Sequence, residues 1–202
     1  MKNFLIEDNE ILDVNERNII RNIIYKIPFL YSLESTSEKF PYYGHPLCMR
    51  PKFDKTFDST TKINVVSPHF DFFYKIVNRF CNKHNIKFTN VIRSSINSTY
   101  YIPGYPYVDP HVDFSKPHVV LLMYLNEVSR ASPTLIFNKT QKFDNQNTIL
   151  DVSKFQNKLL LIKRKIYPKF GKIIAFDGKY YHSNKVPKPG ENRIICVFNL
   201  LI

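Results

Sequence analysis

The order of the patterns along the chain constrains its fold more than any single residue does. Two helical patterns come first, and from about Asn85 onward only short strand-like segments follow. Ile19, Ile20, Ile23, Ile24 and Ile27 recur at the spacing of one helix face over residues 15–27, with Asp13 or Asn15 as cap and Pro28 as stop. A second helix is expected to open with Ser67 as cap and Pro68 in its first turn, with Phe70, Phe73, Val77 and Phe80 as its apolar stripe. The later segments 91–98, 119–125, 134–137, 159–162, 173–176 and 193–200 read as strands. Helices followed by a run of short strands predict an α+β chain whose second half is an all-β sandwich or jelly roll.

Between the two helices, residues 32–64 turn to Ser, Thr, Lys, Pro and Asp with embedded aromatics, notably Phe40-Pro41-Tyr42-Tyr43-Gly44. So long an irregular stretch reads either as a binding loop or lid or as a surface insertion. With 202 residues, 44% of them hydrophobic, the chain can bury one substantial core. The expected organisation is a single domain over 1–202, with a helical N-terminal part at 1–87 and the strand-built core at 88–202.

Lys and Arg outnumber Asp and Glu by 29 to 17, a formal charge of +12. Such a surplus gives a well-solvated surface, or attraction to an acidic partner. The densest basic stretch, Lys163-Arg164-Lys165 with Lys169 and Lys172, lacks interleaved stacking aromatics, so a nucleic-acid partner is not favoured. Cys48, Cys81 and Cys196 are scattered and odd in number, which argues against a disulfide framework and for a reducing compartment. No apolar run is long enough to span a bilayer, and the acids between Met1 and Ile11 come too early for a signal peptide. A cytoplasmic, membrane-free protein is expected.

Two His-x-Asp triplets stand out among the six histidines. His69-Phe70-Asp71 falls at a predicted helix start, where residues two apart diverge by about 200° and cannot grip one ion. Asp71 reads there as a helix-start acid and His69 as a surface or core-edge residue. His111-Val112-Asp113 follows Gly104, Pro106 and Pro110 in an extended segment, where side chains two apart share a face. His182 lies beyond the strand and turn of residues 173–178 and can enter from a separate strand. Two imidazoles and one carboxylate can hold one face of an Fe(II) octahedron and leave the other face open. Arg193 opens the last apolar strand, where a buried guanidinium is costly unless paired. A dicarboxylate could pair with it bidentately. His118, behind Pro117 at a strand start, is not expected to be a third ligand, and His45 and His84 are expected to face solvent.

At these residues the chain resembles Fe(II)/2-oxoglutarate-dependent dioxygenases of the prolyl 4-hydroxylase-like branch, especially the small members encoded by phages and other viruses. The resemblance runs through Phe40-Pro41-Tyr42-Tyr43, Ile92-Arg93 with Asn97, His111-Val112-Asp113-Phe114, Leu122-Met123-Tyr124-Leu125-Asn126, Thr134-Leu135-Ile136-Phe137, and His182 through Arg193. It implies a double-stranded β-helix, or jelly roll, with the N-terminal helices packed on one side. It also implies His111, Asp113 and His182 as iron ligands, Arg193 on the distal carboxylate of 2-oxoglutarate, and the Tyr124 hydroxyl on that same carboxylate. Asn97 and Tyr101 are further candidates to reach the cosubstrate.

The implied reaction consumes 2-oxoglutarate and O2, releases succinate and CO2, and hydroxylates a C–H bond of a protein or peptide, with proline as one target. Two features depart from the compact members: a polar insertion over 138–157 and a roomy loop between His182 and Arg193. No second Arg follows Arg193 in the last strand, which counts against nucleic-acid demethylation. Hydroxylation of a small molecule or nucleobase is the competing enzymatic reading. A catalytically silent jelly-roll binding or virion protein is the non-enzymatic one. A virus-encoded protein of this kind would work in the host cytoplasm.

Overall fold

In the computed structural model the described residues are 4–32, 40–49, 57–142 and 161–202. Their elements in chain order are β1 (Leu5–Asp8), α1 (Val14–Lys26), β2 (Leu30–Ser32), β3 (Tyr42–Met49), β4 (Asn64–Val65), α2 (Phe70–Lys83) and β5 (Asn90–Tyr100). These are followed by β6 (His118–Tyr124), β7 (Thr134–Thr140), β8 (Ile162–Ile166), β9 (Ile173–Asp177), β10 (Tyr180–Asn184) and β11 (Asn192–Leu201). The larger sheet has the order β1-β9-β6-β11-β5-β3-β2, with β4 on β3, and the smaller has the order β10-β7-β8. The strand pairs are antiparallel throughout.

Strand periodicity explains why both faces of the larger sheet are covered. Every residue of β6 is buried, as a strand enclosed on both sides requires. Val119, Leu121 and Met123 point to one face and pack with Ile20 and Ile23 of α1 and Phe73, Val77 and Phe80 of α2. Val120, Leu122 and Tyr124 point to the other, against Ile136, Ile166 and Tyr180 of the smaller sheet. The helices therefore lie on one side and the second sheet on the other. On β5 the same alternation buries Ser94, Ile96 and Ser98 on the helix side, while Arg93, Ser95, Asn97 and Thr99 on the opposite face are only partly covered. That half-open face is where a ligand can enter.

The expected α+β class holds, and so does a jelly-roll sheet pair with helices on one side. Asp13 caps α1 in a capping box with Glu16: the Glu16 N–H donates to Asp13 at 2.7 Å and the Asp13 N–H to Glu16 at 3.1 Å. Helix α2 starts later than expected. His69 occupies the cap position, and the Ser67 hydroxyl accepts the His69 N–H at 3.2 Å in the turn leading in. Residues 42–49, expected to be irregular, form β3, because pairing with β5 satisfies their backbone even where Gly44 and Pro46 interrupt the pattern. Strand β1 was not expected from sequence; its four residues gain stability only by pairing with β9. The strand expected at 159–162 lies partly outside the described residues, and the observed β8 begins at Ile162 and carries exposed Lys163, Arg164 and Lys165. Of the polar insertion, 138–140 belong to β7 and 143–157 lie outside the described residues.

Two histidines expected at the solvent are tied down instead. His45 Nδ1 lies 2.9 Å from the Pro28 carbonyl and its Nε2 2.9 Å from the Ser67 hydroxyl. His84 Nε2 lies 2.7 Å from Asp8, linking α2 to the end of β1. No helix among the described residues is long and apolar enough to cross a membrane.

Candidate metal centre

His111 and His182 are brought together by the backbone. The His111 N–H donates to the His182 carbonyl at 3.0 Å and the His182 N–H returns the bond at 2.9 Å. This isolated antiparallel bridge places both side chains on one face, with their ring centroids 4.6 Å apart. Asp113, two residues beyond His111, shares that face. Its two oxygens lie 3.7 Å from His111 Nε2 and 3.6 Å from His182 Nε2. Atoms that each sit about 2.1 Å from one ion are separated by no more than about 4.2 Å, so each carboxylate oxygen and the imidazole it faces can share a metal. Among the described residues, this is the one group of three His, Cys, Asp or Glu side chains so arranged. His69 and Asp71 do not join it.

The ligand atoms are prepared for a cation. His111 Nδ1 donates to the Asp109 carbonyl at 2.9 Å and His182 Nδ1 to the Tyr180 carbonyl at 3.2 Å. A carbonyl can only accept, so each imidazole carries a proton on Nδ1 and turns Nε2 to the centre. Burial, reinforced by the neighbouring His182, pushes His111 down to about 4, so it stays neutral near pH 7. Burial alone would raise the Asp113 carboxyl, but Arg93 and the two imidazoles outweigh it and hold the group well below the usual carboxylate range.

Two residues not foreseen in the site fix that carboxylate. Arg93 Nη2 donates to Asp113 Oδ1 at 3.0 Å, and Asn199 Nδ2 donates to Asp113 Oδ2 at 2.8 Å. Arg93 Nε also donates to Asn199 Oδ1 at 2.7 Å, closing a three-membered network. Arg93 and Asn199 are direct partners across β5 and β11. Sequence alone offered no pairing register, so this network was hidden.

At the other end of the same pocket stands Arg193, 2% exposed, one of the largest fully buried side chains. Its Nη2 donates to Thr134 Oγ1 at 2.8 Å, and the Tyr124 hydroxyl lies 2.6 Å from that same oxygen. The guanidinium carbon lies 5.3 Å from the Tyr124 ring centroid. No carboxylate of the described residues pairs with Arg193, and its Nε has no hydrogen-bond partner. Burial lowers its affinity for the proton, partly offset by Tyr124. A buried cation with an orphaned donor fits an anionic ligand, and Arg193, Tyr124 and Thr134 form one polar cluster.

The cavity between these ends has a volume of about 180 Å3 and is lined by all three metal-ligand candidates, Arg93, Asn97, Arg193 and Tyr42. Asn97 Oδ1 accepts from Ser95 at 2.6 Å, which leaves its amide N–H groups for the pocket. Tyr42 lies against Gly44, where a Cβ would come within 2.9 Å of its ring. Tyr101 is not brought in. The pocket-facing alternation of β5 ends at Thr99, and Tyr101, beyond the strand end, is 44% exposed. His118 is wholly buried at the start of β6 and is not part of the metal cluster, as expected.

Solved structures share this fold. A 2OG-Fe(II) oxygenase family oxidoreductase from Burkholderia pseudomallei superposes with a TM-score of 0.66 at 10% identity, covering 98% of this chain and 84% of its own. The carbocyclase SnoK of nogalamycin biosynthesis, a non-heme α-ketoglutarate-dependent protein, gives 0.65 at 9% identity, over 99% and 80%. The fold is that of the 2-oxoglutarate–Fe(II) oxygenases. A prolyl-4-hydroxylase from Pseudomonas putida gives 0.57 at 10% identity, over 100% and 94%. No protein-family model matches the sequence, and neither does any curated protein.

Proposed function

We propose that this protein is an Fe(II)- and 2-oxoglutarate-dependent oxygenase acting on a C–H bond of a small molecule. The observation that carries the reading is one pocket with two complementary ends: the His111, Asp113 and His182 cluster at one and the buried, anion-seeking Arg193 at the other. When bound, iron, 2-oxoglutarate and O2 supply the oxidation, giving succinate, CO2 and an oxygenated product. The chain supplies position. His111 and His182 present their Nε2 atoms, and Asp113 is held by Arg93 and Asn199. Arg193, Tyr124 and Thr134 would orient the distal carboxylate, with Asn97 beside it on β5. The apolar walls Val112, Leu122, Ile195 and Val197 exclude water around the reacting atoms. No side-chain acid or base is needed.

The small-molecule reading is supported by the fold shared with the carbocyclase SnoK of nogalamycin biosynthesis. A peptide presenting one side chain, prolyl or other, is the second reading, supported by the fold shared with the Pseudomonas putida prolyl-4-hydroxylase. The exposed basic residues of β8 do not line the pocket, so they give nucleobase oxidation no special support. The test is succinate formation by anaerobically Fe(II)-loaded protein on exposure to O2, with small-molecule and peptide panels. Iron-dependent succinate is the expected result. Its absence under every condition would favour a silent jelly-roll protein.

A further inference from the structure

The oxygenase reading gives Arg193 and Asp113 their ligands but leaves most of the Arg93 guanidinium unused. A guanidinium carries five N–H groups. Arg93 spends one on Asn199 and one on Asp113. Among the described residues nothing accepts the others, including both on Nη1, although 29% of the side chain is exposed and it lines the pocket. Its two fixed partners prevent it from swinging away, so the free N–H groups are held at the site.

Charge points to what they receive. Arg93, Asp113 and Arg193 are the only charged side chains among the described residues lining the cavity, and together they carry one net positive charge. A divalent metal would add two charges and dianionic 2-oxoglutarate would remove two, leaving the surplus unchanged. Arg93 stands at the metal end, bonded to Asp113, and Arg193 at the other end, bonded to Thr134. The surplus positive charge therefore stands at the metal end, where the substrate must bind.

Resting on the oxygenase reading, we propose that Arg93 anchors an anionic group of the substrate, so that this pocket oxidises a small molecule bearing a carboxylate or a phosphate. A guanidinium fork recognises both anions bidentately.

The test uses the full chain loaded with saturating Co(II), whose visible absorption reports the metal's surroundings, and with saturating 2-oxoglutarate to occupy Arg193. Acetate and inorganic phosphate are titrated separately at constant ionic strength. The expected result is a saturable single-site response to at least one of them, acetate marking a carboxylate substrate and phosphate a phosphorylated one. In Arg93→Gln that response should weaken by about tenfold or more. In Arg93→Lys it should weaken less, since the charge stays and the fork is lost. Thermal melting checks that both variants fold, and if Arg93→Gln does not, unchanged affinity in Arg93→Lys overturns the anchor. No saturable response to either anion, or equal affinity in wild type and Arg93→Gln, also overturns it. Failure of Co(II) or 2-oxoglutarate to bind overturns the oxygenase reading as well, so the two failures are distinguishable.

Discussion

Two arginines frame one pocket, and they live in opposite circumstances. Arg93 is partly exposed and bonded to the Asp113 carboxylate and to Asn199. Arg193 is almost fully buried, touches Thr134 and Tyr124, and meets no carboxylate of the described residues. Holding an ion in a protein interior costs several kcal/mol even after relaxation. Arg93 recovers that cost within the fold, and Arg193 does not.

The contrast can be broken in several ways. The largest effect is expected at the paired end: Asp113→Ala should bring iron-dependent succinate formation to background while the protein still melts cooperatively. Sustained 2-oxoglutarate decarboxylation in that variant would remove Asp113 from the metal site. Arg193→Met should raise the 2-oxoglutarate requirement by about a hundredfold, the loss of two charge-assisted hydrogen bonds, with little change in Co(II) affinity. It should also stabilise the ligand-free protein by about 1–4 kcal/mol, because an unpaired buried charge is gone. If Arg193→Met instead destabilises the ligand-free fold and affects both ligands equally, Arg193 is structural.

Asn199→Ala tests the other end. It should weaken Co(II) binding by about 10- to 100-fold through loss of the hydrogen bond that orients Asp113, and leave 2-oxoglutarate affinity almost unchanged.

Acid should act through buried imidazoles. His111 and His118 are both held near 4, against an ordinary value of 6.5. Between those values the unfolded chain binds protons that the folded chain refuses. Stability of the metal-free protein should therefore be full above about pH 6.5 and fall toward pH 4, by on the order of 3 kcal/mol for each imidazole. Calorimetric melting temperatures that stay flat over this range would contradict the neutral state of these rings. The smallest effect belongs to Tyr101→Ala, which should leave turnover unchanged and stability within about 0.5 kcal/mol.

Much of the site was legible because its geometry is local. Residues two apart in extended chain share a face, so His111 and Asp113 could be paired from their spacing and separated from the helix-start pair His69 and Asp71. Arg193 was legible because an arginine opening an apolar strand has to be explained. Tyr101 misled because the point where β5 stops alternating is set by the turn at Pro103 and Gly104 and by partner strands. Strand β3 was hidden for a related reason: its pairing with β5 overrides a polar, Gly- and Pro-containing composition.

The sequence by itself determined the class of fold and singled out the candidate metal-ligand triplet and Arg193, since periodicity, spacing and the cost of buried charge operate within short stretches. Only the tertiary structure decided which residues hold Asp113, because Arg93 and Asn199 are 106 positions apart and meet through strand register. It also decided that Thr134 and Tyr124 meet Arg193, and that the two guanidiniums face a single cavity. Register and sheet stacking are set by the whole set of cross-strand contacts, and no local pattern encodes them.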